Sequence, residues 1–278
     1  MLMDKKKRTV KLILWCGLIA AAFVLSLVVN KGGGDTESLK EAMRDAVLHE
    51  DNRVSLFGLK AVDPALISAM TVSAVLLLAA VLIRIFVIPH FKLVPGKFQL
   101  LLEELVGFFD NLAKSNSPHR NSFLGAYVFA AGVYIFSGTL FELFGIEAIT
   151  TGGRAISLPA PLSDINAAIS LGCFSYLIIM SGGIAGNRLR GVGYTLKDFS
   201  LPISMSFRLF GALLSGLLVT ELVYYNIRLS FVLPVIVGVL FTLLHALIQT
   251  YVLTMLTALF YGEVSEPKPK KSKKQAAA

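Results

Sequence analysis

From Leu12 onward the chain alternates between long unbroken apolar runs and short polar joints. The first run, LILWCGLIAAAFVLSLVV (Leu12–Val29), follows a basic head, MLMDKKKRTVK. Further runs cover about Pro64–Val87, Phe123–Phe144, Ser163–Gly186, Leu201–Tyr225 and Phe231–Tyr261. Lengths of this kind match the roughly 18–20 residues that cross a bilayer, so six spans are expected. The fourth run opens on SDIN, where Ser163 or Asp164 can cap a helix. Between the second and third runs, apolar residues recur at Leu101, Leu102, Leu105, Phe108, Phe109 and Leu112, with Glu103, Glu104 and Asp110 among them. That period predicts an amphipathic helix lying on the membrane surface or dipping into it. Of the joints, Asn30–Val62 reads as an exposed loop with a short helical piece, and GIEAITTGGRAISLPAPLS as a Gly- and Pro-bearing loop. NRLRGVGYTLKDFS reads as a short basic turn, NIRLS as a brief loop, and EVSEPKPKKSKKQAAA as a disordered tail. The expected fold class is all-α: a polytopic membrane protein with six transmembrane helices and one interfacial helix. Three regions follow: 1–62 as an anchor helix and outer loop, 63–263 as the membrane domain, and 264–278 as the tail.

Composition agrees with this pattern. Hydrophobic residues make up 55% of the 278 positions and charged ones only 16%, against about 25% charged in soluble domains. The net charge of +8 then bears on orientation and not on nucleic acid. With the N-terminus inside, the inner segments hold 18 Lys and Arg and the outer ones 7, which predicts both termini on the cytoplasmic side. The first run is long for a signal core and lacks an A-x-A site, so an uncleaved anchor is expected. Cys16 and Cys173 stand far apart in apolar runs and predict neither disulfide nor metal site. No nucleophile triad or metal-ligand cluster is present, and NKGGGD lacks the Gly-Lys-Ser/Thr ending of a phosphate loop. Neither a catalytic role nor a cofactor is expected.

Polar groups inside the runs carry the candidate chemistry, because lipid offers them no hydrogen-bond partner. In SFRLFGALLSGLLVTELVYY (Ser206–Tyr225), Arg208 keeps its charge in essentially any environment. It either snorkels to the near headgroups or faces water, carbonyls or a carboxylate. Glu221 is thirteen residues on, about 20 Å away along a helix and turned to another side, so it cannot be the partner of Arg208. In the sixth run, Thr242, His245 and Gln249 share one helical face. They form either an interhelical hydrogen-bond cluster or part of a proton path. Asp63 and Asp164, each at the outer start of a run, are helix caps or acids of an aqueous entry path.

SMSFRLFGALLSG followed by IQTYVLTMLTALF resembles the last two helices of subunit a of F-type ATP synthases, and VPGKFQ (Val94–Gln99) and PLSDIN (Pro161–Asn166) agree. The resemblance covers about Asp63 to Glu263. It implies a proton-translocating stator, not an enzyme, in the cell inner membrane, held against a ring of c subunits that each carry a buried carboxylate. Peripheral-stalk b subunits and membrane lipid would be further partners. By the same resemblance, Arg208 faces the ring carboxylates and Gln249 is its partner on the neighbouring helix. Asp164, His245, Glu221 and Asp63 line the proton path, Asn166, Thr242 and Ser204 are secondary, and the last two helices are tilted. The chain departs from the family at Ala212, Leu217 and Thr242, where an Asn and two acids or histidines are usual; Glu221 and His245 stand about one turn later. A transporter using Arg208 for an anionic substrate and an assembly factor are the competing classes.

Overall fold

A computed structural model of the chain describes residues 54–56, 59–119, 122–149, 155–225 and 233–267, together with Trp15, Gly17 and Ala21. Seven helices carry the fold among these residues. They are α1 (Pro64–Leu82), α2 (Lys97–Asn116), α3 (Ser122–Phe141), α4 (Ile165–Asn187), α5 (Leu189–Lys197), α6 (Ser200–Tyr225) and α7 (Leu233–Ser265). Two small antiparallel hairpins accompany them, β1 (Val54–Leu56) with β2 (Leu59–Val62) and β3 (Glu147–Ile149) with β4 (Ala155–Ser157). The protein is an all-α polytopic membrane protein. Among the described residues, four helical segments are long and apolar enough to span: Pro64–His90, Phe123–Phe144, Ile165–Asn187 and Ile236–Ser265. A fifth candidate is the pair Arg190–Lys197 and Ser200–Gly216, bent by 48°. The expected span at Leu12–Val29, the NIRLS joint, the helical piece of the N-terminal loop and the basic tail after Pro267 lie outside the described residues, apart from Trp15, Gly17 and Ala21.

Local sequence explains most of the helix ends. Asp63 caps α1 by accepting from the Ala65 N–H at 2.8 Å, with Pro64 as the first helical residue; proline suits that position because its missing N–H would have no partner there. Near the other end Pro89 has no N–H to offer Ile85. The helix widens there into a π-turn (Ile83–Val87) and closes in a 3-10 turn (Ile88–His90). Asp164 caps α4 through the Asn166 N–H, also at 2.8 Å. Gln99 ties the loop before α2 to its first turns: it exchanges two 3.0 Å hydrogen bonds with the Lys92 backbone and donates to Glu103.

The expected basic turn after α4 is instead the nine-residue helix α5. Tertiary contact overrides its glycine content. Gly191 packs against the backbone of Gly183 on α4, and Tyr176 donates to the Thr195 carbonyl at 2.9 Å. Arg188 forms the elbow with φ 54° and ψ −139°, a conformation that costs a non-glycine residue about 1–3 kcal/mol.

The chain forms two compact units, with α6 and α7 each contributing to both. One contains Asn52–Leu214 and Thr242–Ala278. In its core Phe109 and Ala113 of α2 meet Val128 and Ile135 of α3, Ile178 and Ile179 of α4, Met205, Leu209 and Leu213 of α6, and Leu253, Ala258 and Tyr261 of α7. The amphipathic helix α2 lies along α3: Phe109 fills the space beside Gly132, and its ring meets Phe129 edge-on at 5.8 Å. Its first half keeps Phe98, Leu101 and Leu105 exposed. Small residues let the helices approach, as in other membrane bundles. The outward side of α1 (Val75, Leu77, Leu78, Val81) is exposed and wholly apolar, as a lipid- or partner-facing surface must be. The other unit, Met1–Asp51 with Ser215–Phe241, holds the end of α6 and the start of α7, where Leu222, Ile236 and Leu240 are exposed.

Candidate functional site

The two ends of the larger unit differ in chemistry. At one end the start of α1, the end of α3 and the approach to α4 converge. Val72, Phe141 and Leu158 pack there with Ile67 and Tyr134 around them. Asp63 and Asp164 cap their helices at this end, and Asn166 donates both its backbone N–H and its side chain to Asp164. A third acid, Glu142, follows Phe141 in a 3-10 turn. It is half-buried, and its carboxylate has no hydrogen bond or ion pair among the described residues. Glu142 is inconspicuous in the sequence because it closes an apolar run and has no periodic signal of its own. A carboxylate at the end of such a run was the signal available.

At the opposite end, α2, α4 and α7 terminate together. Asn187 donates to the carbonyls of Val264 (3.0 Å) and Glu266 (2.8 Å), and His119 shares a 2.8 Å hydrogen bond with Ser265. These ties anchor the far end of α7 and so its level relative to α4.

Arg208 lies between these ends. Helix α6 crosses α4 at Gly172, which faces Pro202 and Ser206 with no room for a side chain. Gly172 is seven residues from the start of α4 and fifteen from its end, the latter about 22 Å at 1.5 Å per residue. Arg208, two residues beyond Ser206, therefore starts well inside the apolar length of α4. Leu209, Met205 and Leu213 fix the buried side of α6. Ile203, Ser204, Phe207, Arg208 and Gly211 form the exposed side. Among the described residues the guanidinium has neither ion pair nor hydrogen bond.

On α7, Thr242 and His245 are half-buried and Gln249 is buried, all on one face. Leu253, a turn after Gln249, shares the core with Leu209 and Leu213 of α6. Gln249 and Arg208 thus belong to helices packed in one core, but no hydrogen bond joins them: the carboxamide is buried and the guanidinium exposed. Glu221 falls in the other unit, and its side chain lies outside the described residues. The fold therefore brings Asp63, Asp164, Asn166 and Glu142 to one end of the bundle, with Ser204 and Arg208 on one exposed helical side.

The sequence pattern of the ATP synthase A chain family matches residues 67–262. The chain belongs to this family. Similar relatives are ATP synthase subunit a from two strains of Cereibacter sphaeroides, each 26% identical over 199 residues. The alignment covers 67% of this chain and 76% of each relative. Family membership makes the chain a non-catalytic membrane subunit of ATP synthase, the stator through which protons pass. The matched segment contains α2 to α6 and nearly all of α1 and α7, with every candidate residue except Asp63.

Proposed function

We propose that the exposed side of α6 around Arg208 is the surface on which a ring of carboxylate-bearing subunits turns, and that Arg208 discharges each carboxylate as it passes. The observation that carries this reading is an exposed guanidinium without a partner among the described residues, well inside the apolar length of the bundle. A permanent charge there is costly, by about 2.5–3.5 kcal/mol or more, and a carboxylate from another subunit is the counter-charge that lowers the cost. Small side chains at Ser204 and Gly211, one turn to either side, leave room for a close neighbour.

The chemistry follows from two opposed effects on a carboxyl pKa. A ring carboxyl turning through lipid stays protonated, because burial raises its pKa. Beside a guanidinium the anion is favoured, by about 1–3 pKa units, so the proton leaves toward one side only. Arg208 cannot itself carry a proton, and its field bars a direct leak between the two access paths. Protons enter at the end of the bundle that holds Asp63, Glu142 and Asp164, with Asn166 orienting Asp164. They continue past Thr242, His245 and Glu221 and reload the ring one site earlier. Each proton crossing supplies about 2.3 kcal/mol per 100 mV, so several must cross for each ATP made. In this reading both termini face the cytoplasm, which the excess of Lys and Arg on the inner segments supports, and six helices span, Leu12–Val29 among them. The 48° bend between α5 and α6 suits helices tilted along the curve of a ring. Peripheral-stalk b subunits cover part of the remaining apolar surface. Residues 63–263 form the family's membrane domain, between an N-terminal anchor and a basic tail.

Two measurements test this. Purified under mild conditions, the chain carries with it a ring of small hairpin subunits; recovery as a lone, active transporter excludes the motor. In membranes, Glu221→Gln and His245→Ala each slow ATP-driven proton pumping, and the double variant slows it further. Unchanged flux in both would move the entry path to other side chains.

A further inference from the structure

Two neighbouring side chains on α7 depart from the hydrogen-bonding habit of their helix. Thr254 and Thr257 are buried, and each hydroxyl donates to the carbonyl four residues back, at 2.6 Å to Thr250 and 2.8 Å to Leu253. Thr250 is buried too, at 8% exposure, yet its Oγ1 has no hydrogen-bond partner among the described residues. Gln249 before it is 5% exposed, and its Oε1 is likewise unpartnered. A buried hydroxyl that forgoes the carbonyl one turn back, next to a carboxamide oxygen lacking a donor, calls for a partner beyond the described residues. Consecutive helical residues stand about 100° apart, so both groups occupy one level of α7 and both face into the bundle.

We propose that Gln249 Oε1 and Thr250 Oγ1 hold one internal water molecule, which makes Thr250 a positioning residue for the Gln249 carboxamide. The hydrogens balance. The Thr250 hydroxyl donates to the water oxygen, and the water donates one hydrogen to Gln249 Oε1. Its second hydrogen goes to a helix carbonyl, which keeps a spare lone pair. Three such bonds fall in the range of 2–4 that internal waters make. The consequence reaches Arg208 through the rules of donors and acceptors. A guanidinium only donates, so any hydrogen bond from Arg208 to this carboxamide must end on Oε1. The water occupies one of the two lone pairs of Oε1 and fixes the plane of the amide. The other lone pair stays open to the guanidinium. Threonine at 250 thus keeps the acceptor turned correctly while the ring moves past. This inference rests on the reading that Arg208 discharges the ring.

The test uses the whole synthase in sealed membrane vesicles, with Thr250→Val and Thr250→Ser. Valine keeps the shape and removes the hydroxyl; serine keeps the hydroxyl. ATP-driven pumping per assembled complex falls roughly three- to tenfold in Thr250→Val, the range set by one or two lost hydrogen bonds. In Thr250→Ser it stays within about twofold of the parent. Equal pumping in the parent and Thr250→Val overturns the proposal, as does an equal loss in both variants, which marks a packing role alone. An experimental map of the parent complex, fine enough to show water, decides independently of assembly. Density between the two oxygens supports the site, and a direct hydrogen bond between them overturns it. Arg208→Ala in parallel separates the two readings. Pumping that survives in Arg208→Ala refutes the function proposed above, whereas a dead Arg208→Ala beside a normal Thr250→Val refutes only the water site.

Discussion

Replacing Arg208 with alanine stops both proton-driven ATP synthesis and ATP-driven proton pumping, while the complex still assembles. The two halves of this result have different physical sources. Arg208 is exposed on α6 and has no partner among the described residues, so its removal leaves no buried group orphaned. The core contacts of Met205, Leu209 and Leu213 on the other side of the helix are untouched. Function, by contrast, depends on the charge in the mechanism proposed above. Without it, a ring carboxyl in front of α6 has the raised pKa of a buried acid and loses the 1–3 units of relief that a nearby cation supplies. The ionised fraction then drops by roughly 10- to 1,000-fold, and each site returns to lipid still loaded. Lysine is not an adequate substitute, because a buried ammonium can give up its proton where a guanidinium does not. Fluorescence quenching in inverted vesicles measures pumping, and recovery of the intact complex measures assembly. Pumping at a tenth of the parent rate or better in Arg208→Ala contradicts the role assigned to the charge.

Gly172→Leu abolishes pumping with Arg208 still in the chain. At the crossing of α4 and α6, even a Cβ on residue 172 would stand 2.3 Å from Ser206 Oγ and 3.0 Å from the Pro202 carbonyl. That carbonyl already accepts from the Ser206 hydroxyl at 2.7 Å, so neither group can simply rotate away. The helices must part, and the level and facing of Arg208 change with α6. Overpacking of this sort costs about 1–3 kcal/mol, enough to lower the thermal stability of the purified complex as well. Gly193→Leu on α5 serves as the control, since nothing lies within 4 Å of a Cβ there; its pumping stays at the parent level. Gly172→Ala combined with Ser206→Ala recovers part of the activity lost in Gly172→Ala, because the nearest obstructing atom is removed. Normal pumping in Gly172→Leu would mean that this crossing does not set the position of Arg208.

The two variants also show where sequence reasoning reached and where it stopped. Arg208 stands out from the sequence because a full charge in an apolar run is rare and costly. Gly172 carries no comparable signal. One glycine among several in an apolar run becomes significant only when another helix is known to press on it. Glu142 shows the same limit in an acid: it sits at the edge of a run, and its half-burial, without a partner among the described residues, depends on how the ends of α1, α3 and α4 come together. The motif around Gln249 marks that residue in the sequence, but the Thr250 hydroxyl beside it, unpartnered among the described residues, shows only in the pattern of bonds along α7. The glycines and charges after Asn187 predict a turn, and contact with α4 makes the segment a helix.

By itself, the sequence determined the number and limits of the apolar runs, the candidate caps Asp63, Ser163 and Asp164, the amphipathic α2, and the membrane subunit family. These rest on local or compositional physics: length against bilayer thickness, side chain against the adjacent N–H, and the period of a helix. Only the tertiary structure decided which side of each apolar helix is covered, how deep Arg208 lies, and which polar atoms remain unpaired. The reason is that lipid is as apolar as the bundle core. In a soluble helix the polar residues mark the outer side, but in a spanning helix both sides read alike. Facing is then settled by which neighbouring helix comes close, and close approach depends on single small residues such as Gly172.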